Sequence, residues 1–355
     1  MGRQWKEIRK NTRLIIEWGI GRVYNDRLFT HTKLSLLSGF QYWKNRKYKF
    51  FLTVNSEGKT AFLESIFLLL GFDSSDTFTK LFPNVSLLEY IFYLKIRKKN
   101  KASISSKVNG TDISIQFEDC FLNKLYFSKD NYINIFNGHH LKINYSYGND
   151  SNTGYLVHDK NGMHIAWKNL LSKNTLSVNF IGPDSDHIQN LFSVFEKIEK
   201  KGKKEQLIQI LQILDKDLED ITMVSEDYPS IYAKRHEKLL RPLFIMEHGF
   251  CKLMDIACTL IDSKNSVLLV GEIENGFDHD ILFDLWKIME KLSIENNIQI
   301  FTTTNSYECL EFASDAINKD NIMYVRIGKS KNYIKQYIFD GDNFLFCIEN
   351  NMEIR

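Results

Sequence analysis

Apolar and polar residues are arranged in two different patterns along this chain, and each pattern predicts a different kind of sheet. Continuous apolar runs followed by helical spacing occur near residue 50 and again from residue 266 onward, as in parallel strands joined by helices. Between about residues 102 and 180, short alternating runs are interrupted by Asn-Gly dipeptides, which favour tight hairpin turns. The chain is therefore predicted to be an α/β protein with a mostly parallel core sheet and an antiparallel β lobe.

The first half of the chain contains two predicted strands before a helix, and then the β lobe. The strands are Thr32–Phe40 and Tyr48–Val54, and the helix runs from about Lys59 to Leu70, with Gly71 as a suitable C-cap. In the β lobe, each Asn-Gly dipeptide is expected to turn the chain into a return strand. The dipeptides are Asn109-Gly110, Asn137-Gly138 and Asn161-Gly162, and the return strands are Asp112–Phe117, Leu141–Tyr147 and Met163–Trp167.

The second half begins with charged helical segments and then returns to a βαβ pattern. His187–Lys201 and Lys203–Asp217 predict a helical arm within residues 185–240. The apolar run Ser266–Val270 predicts a buried strand, and it is followed by helical spacing from about Asp280 to Ile294 and a second strand at Ile298–Thr303. A strand, helix and strand in this order predict two parallel strands. Ser306 follows them and can cap the next helix.

Residues 1–28 differ from the rest of the chain and predict an N-terminal helical extension to a head formed by residues 29–355. The segment is basic, and Trp5, Ile8, Ile15 and Trp18 recur near helical spacing. Such a weakly amphipathic helix either packs against its own domain or docks a partner. Both alternatives stay open at the level of the sequence.

Composition narrows the environment and the partners. The 355 residues include 43% hydrophobic residues and carry a formal net charge of +2, so nucleic-acid binding is possible but is not indicated by charge. The five cysteines form no CxxC motif, and the histidines show no metal-ligand spacing. No signal peptide or apolar run long enough to span a bilayer is apparent. We expect a cytoplasmic protein with reduced thiols and no membrane partner.

The segment around Gly58-Lys59-Thr60 is the strongest candidate for chemistry. It follows an apolar run and begins a helical pattern, as a phosphate-binding loop does. In such a loop, backbone N–H groups surround the phosphates, the lysine reaches the outer phosphates and the hydroxyl binds magnesium. Thr60 is the predicted magnesium ligand. The predicted phosphate-binding residues are Asn55, Ser56, Gly58, Lys59, Thr60 and Ala61.

Several separated motifs together resemble the ABC-type AAA ATPases related to the OLD and RecF proteins. The order and spacing agree over about residues 30–355. The matching segments are the Lys59-Thr60 loop, a helix beginning at Gly249, the carboxylate-rich turn Glu272–Gly276 after an apolar strand, the strand tip Thr302–Ser306, and the C-terminus Met352–Arg355.

The resemblance implies a P-loop NTPase head that uses ATP and Mg²⁺. In this family the nucleotide lies between two heads, and the signature helix of one head faces the γ-phosphate held by the other. Gly249 matches the start of that helix, and Glu272 matches the general base. Asn305 stands where the family has a histidine that senses the γ-phosphate, and it can form hydrogen bonds but cannot take up a proton.

Five positions depart from the family pattern and predict a degenerate nucleotide site. Thr53 replaces a loop glycine, Gly271 replaces the magnesium-orienting aspartate, and Asn305 replaces the histidine. Glu57 and Glu247 place negative charge beside a triphosphate, which at about 4 Å and an effective dielectric near 20 is repulsive by roughly 4 kcal/mol per unit pair. Hydrolysis is therefore expected to be weak or absent.

Two classes of function follow from the resemblance. In the first, the chain is an ATPase-like subunit that oligomerises with itself, or with an intact ATPase head or an effector, and holds or regulates that partner. In the second, it is an active, ATP-gated dimerising switch that controls a toxin or nuclease, or a RecF-like DNA repair ATPase. Bacterial defence against phage is the leading biological role, and it is inferred by analogy with relatives.

Overall fold

The computed structural model describes thirteen ranges of the chain and divides it into two compact units. Unit 1 comprises Met1–Asn45, Thr60–Ser177 and Ile327–Tyr337, and unit 2 comprises Arg46–Lys59, Val178–Arg326 and Ile338–Arg355. The predicted extension at residues 1–28 lies outside the described residues. The described residues are 33–35, 50–51, 59–71, 77, 101–108, 111–122, 138–159, 162–168, 177–182, 187–224, 230–236, 240–330 and 333–352.

Helices and strands occur in both units. The helices are α1 (Lys59–Gly71), α2 (His187–Lys200), α3 (Lys204–Leu211), α4 (His248–Asp262), α5 (His279–Asn296), α6 (Tyr307–Ala316) and α7 (Gly341–Glu349). The strands are β1 (Lys33–Ser35), β2 (Phe50–Phe51), β3 (Lys101–Val108), β4 (Thr111–Leu122), β5 (Gly138–Tyr147), β6 (Asp150–Asp159), β7 (Gly162–Trp167), β8 (Ser177–Ile181), β9 (Leu218–Val224), β10 (Ser230–Arg235), β11 (Leu240–Pro242), β12 (Ser266–Val270), β13 (Gln299–Thr302), β14 (Met323–Ser330) and β15 (Tyr333–Asp340).

The sheet of unit 1 has the order β1-β3-β4-β5-β6-β7 and contains the predicted antiparallel strands. β1 pairs with β3 in parallel, and each later neighbour pairs antiparallel. The central strand β4 buries Ile113, Ile115 and Phe117, which alternate along it and therefore lie on one face. Val108 of β3 lies opposite Thr111 of β4, and the predicted turn residues between them, Asn109-Gly110, lie outside the described residues.

The other two Asn-Gly predictions need correction. Gly138 is a strand residue opposite Leu122, so Asn137-Gly138 is not the turn of a two-residue hairpin. Gly162 is likewise a strand residue, in β7 opposite Asp159, so it is not a turn residue as predicted. An unpredicted turn at Gly148-Asn149 joins β5 to β6, and Gly148 adopts φ +59 there. Pairing with Leu122 of β4 places Gly138 within the sheet, and pairing with Asp159 of β6 does the same for Gly162, despite their turn propensity.

Unit 2 contains the predicted βαβ unit. β12 and β13 pair in parallel, with Val267 opposite Gln299 and Val270 opposite Thr302. β8 lies on the other side of β12, and the N–H group of Gly271 donates to the carbonyl of Ile181 at 2.8 Å. Residues 177–180, which were predicted in the antiparallel lobe, therefore belong to this sheet. A separate parallel pairing places Tyr324 of β14 opposite Phe50 of β2.

The predicted helical arm at residues 185–240 is wrong over its second part. α3 ends at Leu211, and β9, β10 and β11 form an antiparallel sheet in the order β11-β10-β9. Alternation explains the strands, since Ile231 and Ala233 of β10 are both buried. The helices belong to the core as well, because their apolar side chains join the cluster around α4. The buried residues of α2 and α3 in that cluster are Leu191, Phe195, Ile198, Leu207, Ile208, Ile210 and Leu211.

The described residues contain neither a helix that could span a membrane nor a group of metal ligands. No helix among them is both long enough and apolar enough to cross a bilayer. Within the same ranges, His, Cys, Asp and Glu side chains form no group of three or more that could hold a metal ion. None of the five cysteines is in a disulfide.

Candidate functional site

Lys59 meets the carboxyl-terminal ends of β12 and β13 within unit 2. These two strands are parallel neighbours, so the segments that follow them emerge at one edge of the sheet, where α/β proteins bind ligands. Lys59 is the first residue of α1 and is only 3% exposed. Its ammonium donates to Asn305 Oδ1 and lies 3.5 Å from the carbonyl oxygen of Thr304. A charged, strong donor is thus buried at the shared edge.

Two carboxylates that follow β12, those of Glu272 and Glu274, lie beside the side-chain amide and the backbone N–H of Asn305. Glu272 Oε1 lies 3.4 Å from Asn305 Nδ2, and Glu272 Oε2 accepts a hydrogen bond from Asn275 Nδ2 at 2.7 Å. Glu274 Oε1 accepts from the backbone N–H of Asn305 at 2.6 Å. Burial lowers the pKa of Lys59, although the charges of Glu272 and Glu274 act in the opposite direction. Asn305 therefore links the cation to both carboxylates.

The backbone of Glu272 adopts an unusual conformation. Its φ is +45, in the left-handed region, where a residue with a Cβ carries a cost of about 1–2 kcal/mol. The tip of β13 holds it there. The N–H of Glu272 donates to Thr303 Oγ1 at 2.9 Å, and the N–H of Ile273 donates to the carbonyl of Thr303 at 2.9 Å. Non-glycine residues held in this way are concentrated at functional sites.

Two glycines bring the start of α4 against the turn that contains Glu272. A Cβ added at Gly249 would lie 1.9 Å from the carbonyl oxygen of Gly276. Gly276 itself has φ +87, and its own Cβ would lie 3.0 Å from the backbone nitrogen of Gly249. Neither position has room for a larger side chain. The prediction of a helix start near Gly249 agrees with α4, which begins at His248.

Lys252 completes the arrangement and was not predicted from the sequence. Its side chain has no exposed surface, and its ammonium donates to three backbone carbonyls of the same turn: Glu272 at 2.6 Å, Asn275 at 3.3 Å and Gly271 at 3.4 Å. Burial lowers its pKa to about 8, while the charges of Glu274 and Glu272 act in the opposite direction. The available signal was a lysine inside an apolar helical run, three residues after Gly249.

The structure brings Lys59, Glu272 and Asn305 together, and it adds Glu274, Thr303 and Lys252, which sequence reasoning had not assigned to the site. Gly249 lies against Gly276. Thr60 and Ala61 are the second and third residues of α1, and both belong to unit 1. The predicted phosphate-loop residues Asn55, Ser56 and Gly58 lie outside the described residues.

The donor set fits a phosphate group better than it fits a magnesium ion. A buried ammonium at a helix N-terminus, with a lowered pKa, gains from a bound anion. Phosphate oxygens would compete with Asn305 for the Lys59 ammonium. Magnesium prefers carboxylate and hydroxyl oxygens; Glu272 and Glu274 supply carboxylates here, but Gly271 supplies no side chain directly after β12, and no group of three possible His, Cys, Asp or Glu ligands forms among the described residues. The role of Thr60 as a magnesium ligand stays a prediction.

Comparisons with known proteins give a likeness to Smc head domains. One is an Smc head bound to the C-winged helix domain of ScpA, at 13% identity and a TM-score of 0.46, covering 86% of this chain and 92% of that chain. A second, from Pyrococcus furiosus, has an extended coiled coil and is bound to the C-terminal domain of ScpA (12% identity, TM-score 0.44, 86% and 93% coverage). A third is the SMC head domain from Thermotoga maritima (9% identity, TM-score 0.35, 82% and 89% coverage).

No protein-family model matches the chain, and no curated protein matches it. Membership of the OLD and RecF branch therefore stays a prediction from the sequence motifs.

Proposed function

We propose that this chain is an ATPase-like head that binds a nucleoside triphosphate, with Lys59 as its main phosphate contact. The support is the position of the Lys59 ammonium, buried at the edge of the sheet where β12 and β13 end and hydrogen-bonded to Asn305. An ammonium in this place can exchange Asn305 for a phosphate oxygen without moving into water. Glu272 Oε1 lies 3.4 Å from Nδ2 of the same Asn305 side chain, and we assign it the role of general base.

We further propose that hydrolysis is weak. Phosphoryl transfer depends on positioned charges, chiefly a metal ion that bridges the β- and γ-phosphate oxygens and neutralises the developing charge. Gly271 removes the carboxylate that orients magnesium in the family that the motifs resemble. In addition, Glu272 engages the amides of Asn275 and Asn305, which compete with a water molecule for its oxygens. Binding without efficient turnover follows from these two features.

Nucleotide affinity with and without magnesium tests this proposal. Isothermal titration of ATP into the purified protein is expected to give similar dissociation constants in excess Mg²⁺ and in excess chelator, within about tenfold, or 1.4 kcal/mol. The reason is that Lys59 contacts phosphate directly, whereas Gly271 leaves the metal poorly held. Absence of ATP binding in both buffers would refute the head function. Tight binding that requires magnesium would refute the degenerate metal site.

Turnover measured in the same preparation tests the chemistry. Glu272→Gln is expected to remove any residual hydrolysis, and Gly271→Asp is expected to raise it, because the aspartate restores a ligand beside the phosphates. Rates in the unaltered protein on the order of 1 per second or more would contradict weak hydrolysis.

The proposed mode of action is association, with a second copy of this chain or with an intact ATPase head or effector. Leu240 and Ile245, in the segment that leads into α4, are 48% and 60% exposed, and we propose that they contact the partner. The composition of residues 1–28 gives independent support, since Trp and Arg commonly anchor interfaces. A site built from two heads would also tolerate one degenerate member.

Native mass spectrometry at micromolar concentration tests association. A stable oligomer is expected without ATP, alone or with co-expressed neighbouring gene products, and deletion of residues 1–28 or Trp5→Ala is expected to weaken it. A monomer under all these conditions would contradict the association model. Oligomers that form only with ATP would favour the nucleotide-gated switch instead.

We also propose a biological role and a location for the protein. Bacterial defence against phage and a cytoplasmic location are supported by the sequence resemblance and by composition. Nucleic-acid binding is not required by any part of the proposal, in keeping with the net charge of +2.

A further inference from the structure

Lys252 is an unusual residue for the place that it occupies. It belongs to α4, where its neighbours Phe250, Cys251, Leu253 and Met254 are all buried in the apolar core. A buried ammonium is costly unless each of its donors finds an acceptor. Lys252 has three N–H donors, and the three carbonyls of Gly271, Glu272 and Asn275 accept them. Its aliphatic stem is buried in the core, and its ammonium ends at the turn formed by residues 271–275.

That turn determines where the Glu272 carboxylate points. The carbonyl of Glu272 accepts from both the N–H of Asn275, at 3.0 Å, and Lys252 Nζ, at 2.6 Å. A charged donor on this carbonyl favours the left-handed conformation of Glu272, because charge-assisted hydrogen bonds are stronger than neutral ones. Without that donor, Glu272 can relax toward an ordinary φ, which would move its side chain away from Asn305.

The same helix face also carries Gly249. Residues three apart on a helix are neighbours on its surface, so Gly249 and Lys252 both contact the turn formed by residues 271–276. Gly249 allows the backbone of Gly276 to approach, and Lys252 holds the carbonyls on the other side of the turn. The first turns of α4 and residues 271–276 thus form one packed unit. A displacement of the α4 N-terminus would be transmitted to Glu272 through these contacts.

We propose that Lys252 is a positioning residue, which ties the orientation of Glu272 to the position of α4. This inference rests on the proposed function, since Glu272 is the predicted general base of that function. It assigns α4 a second role beside that of packing. Whatever docks against the α4 N-terminus, such as a second head, would then influence the alignment of Glu272 in this chain.

Lys252→Met, which keeps the length of the side chain and removes its donors, tests the proposal. Single-turnover hydrolysis with protein in excess over ATP is expected to slow at least tenfold, since misplacing a reacting group by about 1 Å can cost on the order of a hundredfold. The dissociation constant for ATP is expected to change by less than about threefold, because Lys59 still holds the phosphates. Lys252→Arg, which keeps the charge, is expected to restore part of the rate.

Hydrogen exchange of the nucleotide-free protein gives a readout that is independent of ATP. The amides of Glu272 and Ile273, which are bonded to Thr303, are expected to exchange at least about tenfold faster in Lys252→Met. The amides of β12 are expected to keep their protection. Lys264→Met is the matched control, because Lys264 is an exposed lysine shortly after α4, and it should change neither measurement.

The results distinguish the positioning role of Lys252 from the proposed ATP-binding function. Unchanged exchange at Glu272 and Ile273 would overturn the role of Lys252, and so would faster exchange throughout α4 and β12, which would indicate a general loss of packing. If Lys252→Met does not fold, Lys252→Gln, which keeps two donors without charge, is measured in its place against the same criteria. Failure of the unaltered protein to bind ATP would refute the proposed function, and the exchange measurement would still decide whether Lys252 holds the turn.

Discussion

Lys59→Ala is expected to abolish detectable nucleotide binding, with a loss in affinity of at least about a hundredfold, or roughly 2.7 kcal/mol. The substitution removes the ammonium that lies beside Asn305 at the sheet edge, and each hydrogen bond to a charged group contributes about 1.5–3 kcal/mol. It also removes one of the two ammonium groups that interact with Glu272 and Glu274, the other being that of Lys252, so an incoming triphosphate would meet more net negative charge. Fluorescence titration with a labelled ATP analogue measures the effect.

Lys264→Ala is the control for this experiment, because Lys264 is exposed and lies outside the site. It should bind nucleotide like the unaltered protein. Circular dichroism should show that Lys59→Ala retains its fold, since burial lowers the pKa of Lys59 and the folded state therefore gains little from that charge. Binding in Lys59→Ala within about threefold of the unaltered protein would show that phosphate is held elsewhere.

Gly249→Ala is expected to lower the free energy of unfolding by about 3 kcal/mol or more, at the upper end of the cost of overpacking. Its Cβ would lie 1.9 Å from the Gly276 carbonyl oxygen, and a backbone group cannot rotate away as a long side chain can. α4 is buried along most of its length, so the helix cannot shift as a whole without opening core contacts. Urea denaturation followed by tryptophan fluorescence measures the change.

Two other glycines provide matched comparisons. Gly202 has φ +67 with nothing within 4 Å of an added Cβ, so Gly202→Ala should cost only about 1–2 kcal/mol for the left-handed backbone. Gly341, the first residue of α7, would place a Cβ 1.9 Å from the Lys319 carbonyl. Gly341→Ala should therefore destabilise the protein like Gly249→Ala, but without disturbing the turn at Glu272. A loss in Gly249→Ala no larger than that in Gly202→Ala would contradict the close packing of α4 against Gly276.

Sequence patterns predicted the elements whose signals are local. The βαβ unit from Ser266 to Thr302 was predicted because a continuous apolar run, helical spacing and a second apolar run each report burial within one element. Ser306 was predicted as a helix cap, and its Oγ accepts from the N–H of Cys309 at 3.1 Å. Capping needs only residues within one turn of each other, so the sequence contains all the information.

Predictions failed where distant segments decide the outcome. Gly138 carries a strong turn signal, yet it is a strand residue because Leu122 of β4 pairs with it. β8 was predicted in the antiparallel lobe, but the backbone of Ile181 hydrogen-bonds Gly271, far along the chain. The helical arm was predicted to extend to residue 240, whereas the buried, alternating Ile231 and Ala233 belong to a sheet. In each case the pairing partner outweighs local propensity.

The candidate site divides in the same way. Lys59 was predicted from its phosphate-loop motif, and Glu272, Gly249 and Asn305 were predicted because their short motifs resemble those of a known family. That these four residues lie close together is decided by the tertiary structure. The same is true of the roles of Glu274, Thr303 and Lys252. Lys252 is the clearest example: nothing in a lysine's neighbours along the chain specifies three carbonyl acceptors, since these lie in a turn about twenty residues away that reaches it only when α4 packs beside β12.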